Sequence, residues 1–151
     1  MSKLGNAFGD SKSLRIKTFT LGDHDFKVRV PLSKELESIQ ARISEVDKDK
    51  AEARYTKMAA PFIADPSISG VEIKEDDVVV DGRSLRDLVK TVSMMEAKIV
   101  EYVKLLVPVE GSLDDITYEE IEEEWPTQVQ MELLEKISEA IQPGYKDARK
   151  N

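Results

Sequence analysis

Three features of the sequence predict an α+β fold. Two alternating apolar runs near the start flank Gly22-Asp23-His24, two short β-branched runs lie at 71–73 and 78–80, and residues 85–106 carry apolar side chains at helical spacing. The expected architecture is a helix-rich single domain with two small antiparallel hairpins, two long helices and a helical C-terminal third. It occupies residues 14–142, between a flexible N-terminal segment, 1–13, and a flexible basic tail, 143–151.

The first hairpin pairs 14–20 with 25–30. Phe19, Leu21, Phe26, Val28 and Val30 alternate as on a half-buried sheet, and Pro31 ends the ladder because it has no backbone donor. Ser33 is positioned to cap a helix running to about residue 57, with Leu32 packing back on its first turns. Leu36, Ile39, Ile43 and Val46 continue from Leu32 as a narrow stripe. Asp47-Lys48-Asp49-Lys50 then marks a more exposed second half, or an early end.

Pro61 and Pro66 frame an expected loop over 59–70, anchored by Phe62 and Ile63. The second hairpin turns through Glu75-Asp76-Asp77, and Asp81-Gly82 closes its last strand. Ser84 and Asp87 form a reciprocal cap for a helix over 85–106, whose stripe is Leu85, Leu88, Val92, Met95, Ile99, Tyr102 and Leu106. Pro108 is the expected stop. Thr117 with Glu120 caps a short acidic helix that Pro126 breaks, and a final helix from about 126 to 141 carries Val129, Leu133, Ile137 and Ile141 on one face before Pro143-Gly144. Hairpin–helix arrangements thus occupy 14–58 and 71–107, and the C-terminal helices 117–142.

At 151 residues the chain is long enough to bury a core without staples. It has no cysteine, which removes disulfides, thiolate catalysis and cysteine-rich zinc sites and fits an intracellular home. The first thirteen residues lack the apolar block of a signal peptide, and charges interrupt every long apolar stretch, so no membrane partner is expected. A net charge of −8 disfavours nucleic acid as a partner. The charge is uneven, with eight acidic and no basic residues from Glu110 to Glu124, whereas Lys3, Lys12, Arg15 and Lys17 give the start the opposite sign. Such asymmetry steers association between copies or is plain solvated surface.

Few residues offer chemistry. The single histidine, His24, lies between Asp23 and Asp25 at a hairpin tip, where turn geometry explains the acids and no second histidine completes a ligand set. Asp76-Asp77 with Asp81, and Asp114-Asp115, fall in turns or helix starts, where carboxylates serve local hydrogen bonding. The acidic run Glu119-Glu120 and Glu122-Glu123-Glu124 reads as a solvated helix start or a docking surface for a basic partner. No phosphate-binding loop, nucleophile elbow or metalloprotease helix is present, so no catalytic residue, metal or cofactor is expected.

The 85–106 helix has a wider apolar face than one neighbour covers, because Val89, Met94, Val100 and Val103 flank its stripe. Surplus apolar surface implies a partner, and Val89, Met94, Val100, Val103, Trp125 and Met131 are the candidate partner-binding residues, with a place in the core as the alternative for the valines and methionines.

The last third reads Thr117-Tyr118-Glu119-Glu120-Ile121-Glu122-Glu123-Glu124-Trp125-Pro126. A helix to Ile141 follows, then the close Pro143-Gly144-Tyr145-Lys146-Asp147-Ala148-Arg149-Lys150-Asn151. This resembles the tail assembly chaperones of long-tailed, siphovirus-type bacteriophages. The likeness is clearest over 78–151, is weaker over the first hairpin, and rests on arrangement and the closing phrase rather than on a chemical motif. The resemblance implies a non-enzymatic factor in the host cell cytoplasm, absent from the mature virion. Such a factor binds the tape measure protein and keeps it soluble, helps recruit tail tube protein, and self-associates as a homo-oligomer. A frameshifted longer form of the same chain is also implied. The competing reading is a structural tail or connector subunit retained in the virion. An acidic mimic of DNA would need carboxylates spread along an elongated surface, whereas here they cluster in one segment.

Overall fold

The Gly22-Asp23 pair joins β1 (Ile16–Leu21) to β2 (His24–Arg29) as a two-residue hairpin in the computed structural model, which describes residues 2–142. The expected α+β class is what forms. Six helices, α1 to α6, and two small antiparallel sheets lie among the described residues, divided into two compact units. One unit contains the residues up to Ile39 and those from Ile99 onward; the other is Gln40–Lys98. The tail 143–151, including the Pro143-Gly144 stop, lies outside the described residues.

In the first unit, alternation places Phe19 opposite Phe26, their rings stacked at 5.4 Å, while Val28 on the same face is fully buried. Arg15 and Arg29 both bind Glu35, at 2.9 and 2.7 Å, which ties the hairpin to the first turn of α2 (Ser33–Ser44). The hydrogen bond from Arg29 is the main reason that the Glu35 carboxyl is held below its usual range. Ser33 is the first helical residue rather than the cap: the Leu36 amide already reaches the Leu32 carbonyl, and Leu32 itself is exposed instead of packing back. In the segment 1–13, Ser2 caps a short helix, α1 (Lys3–Phe8), by accepting the Gly5 amide at 3.0 Å, and a 3-10 turn over Lys12–Arg15 leads into β1. No residue of α1 is buried.

α4 (Leu85–Val103) ends earlier than the stripe predicts. Leu106 pairs with Val28, the Arg29 amide donates to the Leu105 carbonyl at 2.8 Å, and the Val107 amide to the Lys27 carbonyl at 2.8 Å. Residues 105–107 therefore add to the free edge of β2, whose unpaired backbone groups compete successfully with another helical turn. α5 (Tyr118–Glu124) starts with the expected box, in which Thr117 and Glu120 satisfy each other's backbone amides. α6 (Thr127–Ile141) follows and packs across β1 and β2, burying Leu133, Ile137 and Ile141 as the spacing predicts. It also buries Gln130, which no periodicity argument selects. The Gln130 amide donates to the Trp125 carbonyl at 2.8 Å and its oxygen accepts from the Tyr118 hydroxyl at 3.0 Å, so one side chain joins both ends of α5 to α6.

The second unit is built on α3 (Lys48–Ala64), a short sheet and the first part of α4. Of the two readings of the helix expected from 33 to about 57, a more exposed second half or an early end, the early end is what forms: α2 stops at Ser44, and a new helix, α3, starts because Asp47 accepts the amides of Asp49 and Lys50 at 3.0 and 3.1 Å. The charged stretch is a helix start. α3 then runs through Pro61, where a loop is expected, because Ala59 is fully buried and Phe62 packs on the same core; the Asp65 amide closes the last turn on the Pro61 carbonyl. β3 (Val71–Ile73) and β4 (Val78–Val80) form as expected, and a third strand, β5 (Arg83–Ser84), joins them. Asp81 and Gly82 both have positive φ, +51° and +80°, so this pair is a hairpin turn rather than a strand end. Tyr55, Ala59, Val78, Leu85 and Val89 make the core of this unit.

Replacing Gln130 by Ala leaves the Trp125 carbonyl without its donor and opens a small cavity. The expected cost is about 2 kcal/mol, read as a lower melting temperature at unchanged helix content.

Candidate functional site

The rotational phase of α4 is set at its first turn by Asp77. Its carboxylate accepts from the Val78 amide at 2.8 Å, from the Arg86 amide at 3.2 Å and from the Ser84 hydroxyl, while Ser84 Oγ accepts the Asp87 amide at 3.2 Å. The expected Ser84 cap is present, with Asp77 behind it. Burial pushes the Asp77 carboxyl up, but the Ser84 hydroxyl and the two amides outweigh it and hold the group below its usual range. Arg86 is locked as well: Nε donates to the Asp76 carbonyl, Nη1 reaches Glu52 at 2.7 Å, and the guanidinium lies 3.9 Å from the Tyr55 ring centroid. Asp77 is therefore a structural cap, and its neighbour Asp76 contributes a carbonyl oxygen.

From that start, Leu85 and Val89 turn into the core of their unit, and Leu88, Val92 and Met95 face outward at 38%, 36% and 39% exposure. The spacing i, i+4, i+7 makes them one row. Farther along, Ile99, Tyr102 and Val103 are buried in the other unit, in a seam closed by Ile121, Leu133 and Ile137. The six candidate partner-binding residues thus divide. Val89 and Val103 are core and are unavailable to a partner; Met94, Val100 and Met131 are half-buried; Trp125 is half-buried with its ring edge-on to Phe26 at 6.3 Å. The open row consists of residues that the stripe assigned to the interior. Spacing identifies a face, and the width of the face leaves open which edge of it is covered.

A cleft of about 330 Å³ lies in the second unit, with Val46, Ala51, Tyr55 and Val89 as its apolar lining and Lys48, Lys90, Arg86 and Glu52 as its polar one. Arg86 and Glu52 neutralise each other across a 2.7 Å ion pair. Lys48 and Lys90 enter no ion pair among the described residues. No sequence signal announces this cleft, because its lining comes from the 45–47 break, α3 and α4 together.

The remaining polar candidates are dispersed. His24 is exposed with its ring 5.0 Å from that of Phe26, Asp25 accepts from the Thr20 hydroxyl at 2.7 Å, and the Asp114 amide donates to Ser112 Oγ at 3.2 Å. No group of three or more His, Cys, Asp or Glu that could hold a metal occurs among the described residues, and no described helix is long and apolar enough to cross a membrane. The Glu119, Glu120, Glu122, Glu123 and Glu124 side chains of α5 are all exposed. No protein-family model, curated protein or solved structure matches the chain.

Two expectations follow. Val89→Ala lowers stability by about 2 kcal/mol, whereas Leu88→Ala stays within about 0.5 kcal/mol, as denaturant midpoints of the two variants will show. Asp77 is depressed when folded, so its contribution is complete above its unfolded pKa and is lost as pH falls through the folded value. Asp77→Asn therefore destabilises the protein near neutrality and loses less stability than the wild type on acidification, read from melting temperatures across that acidic range.

Proposed function

We propose that this chain is a phage tail assembly chaperone: a non-enzymatic factor that binds the long helical tape measure protein, keeps it soluble in the host cytoplasm, and helps recruit tail tube subunits. The observation that carries the reading is the open row Leu88, Val92 and Met95 on α4. Three apolar side chains in line on one helix suit the apolar stripe of a helical client, and an unbranched methionine among them adapts to different client shapes. The exposed carboxylates of α5 and the net charge of −8 favour solubility for a protein carrying such a row. The resemblance over 78–151 supplies the client. The candidate surface moves accordingly, from Val89 and Val103 to Leu88, Val92 and Met95.

The test is co-expression with the longest helical protein encoded nearby, scoring that protein's solubility and co-purification. Both are expected to depend on this chain and to fail with a Leu88→Glu, Val92→Glu, Met95→Glu triple variant that melts within a few degrees of the wild type. A neighbour that is equally soluble without this chain, together with this chain in finished particles, would replace the proposal with a structural tail subunit.

A further inference from the structure

Strand pairing leaves one edge of the first sheet open. In its antiparallel register Ile16, Thr18 and Thr20 stand opposite Arg29, Lys27 and Asp25. The Arg29 amide donates to the Leu105 carbonyl and the Lys27 carbonyl accepts from the Val107 amide, both at 2.8 Å, so these residues turn their main-chain groups away from β1. Ladder bonds alternate in step on the two strands, which turns the main-chain groups of Ile16, Thr18 and Thr20 away from β2. The Ile16 amide is taken by the Ser13 carbonyl. The amides and carbonyls of Thr18 and Thr20 find no main-chain partner outside the hairpin among the described residues, and both threonines are exposed.

Residues 105–107 show what such groups accept, since on β2 the same pattern is filled by a short extended segment. On β1 the alternation of side chains is set as well. Thr18 and Thr20 lie on one face, and Phe19, half-buried and stacked on Phe26, lies on the face that buries Val28. A strand laid along β1 therefore sets an apolar side chain beside Phe19 and polar ones beside Thr18 and Thr20. Charge decides little: Lys12, Lys17 and Lys27 stand toward one end and Asp23 and Asp25 toward the other, while Arg15 and Arg29 are tied to Glu35. Another β1 paired about Thr18 or Phe19 sets Lys17 against Phe19 or Leu21 on the half-buried face, so a second copy is a poor occupant.

We propose that the outer edge of β1 is a docking site for an extended segment of a different polypeptide, with alternating polar and apolar side chains, held by the main chain of Thr18 and Thr20. Backbone hydrogen bonds supply the affinity and the alternation supplies the choice of sequence. The inference stands apart from the chaperone proposal, since the open row of α4 takes no part.

Amide hydrogen exchange of the full chain provides the test, with a capped peptide of alternating threonine and valine as the probe. In the free protein the Thr18 and Thr20 amides are expected to exchange rapidly, while those of Phe19 and Leu21 are protected by the hairpin. Peptide at up to ~1 mM is expected to slow Thr18 and Thr20 roughly tenfold and to leave α4 unchanged. Methylating the peptide's threonine amides removes the donors that face β1 and should abolish this protection, whereas methylating its valine amides should not. Thr18→Val is expected to keep binding, and Thr18→Pro, which removes an outward donor, to lose it with the hairpin intact. If Thr18→Pro unfolds, the methylated peptides still decide. Slow exchange of Thr18 and Thr20 at every dilution of the free protein, protection that grows with protein concentration alone, no protection by the peptide, or protection indifferent to which amides are methylated would each overturn the proposal.

Discussion

The start of α4 is the constraint on which the rest of this molecule's surface depends. A helix with apolar residues around much of its circumference has no unique way to lie on its neighbours. Asp77 supplies one by receiving the hydroxyl and amide donors at the helix head, and Arg86, pinned by Glu52 and by the Tyr55 ring, holds the same first turn against rotation. With that phase set, Val89 faces inward and Leu88 outward. A helix turned by one residue would exchange the two and present a different surface to any partner.

α4 also belongs to both compact units, its part up to Lys98 to one and its last turns from Ile99 to the other. The apolar residues of those last turns are covered by α5 and α6, with Gln130 joining the two ends of α5 to α6. The open row lies wholly in the earlier part. A single helix thus supplies a core element in one unit and both core and exposed surface in the other, which accounts for its unusually wide apolar face.

Most elements were legible because local chemistry and tertiary packing agree at their positions. Thr117 and Glu120, the Gly22-Asp23 turn and the spacing of Leu133, Ile137 and Ile141 each act where the pattern places them. Structure and pattern part where one signal has two meanings. Asp47 in a charged stretch reads as solvent exposure until its carboxylate is seen to cap α3, and Pro61 reads as a breaker until the burial of Ala59 and Phe62 outweighs it. Asp81-Gly82 is a strong hairpin signal, but only two residues of strand follow it before the helix begins. The open row and the cleft were hidden for a different reason. Burial of Val89 rather than Leu88 is decided by contacts distant in sequence, and Lys48 becomes a neighbour of Lys90 only once the fold exists.

The addition of residues 105–107 to β2 has a consequence for proteostasis. A short hairpin with an unprotected strand is a template on which other chains extend a sheet, the first step toward fibrillar aggregates. Here the backbone of the chain itself occupies that template, through the Arg29–Leu105 and Val107–Lys27 bonds and the Val28–Leu106 bridge. A chain with apolar side chains left open elsewhere thereby denies that edge to the uncontrolled stacking that those side chains would otherwise encourage.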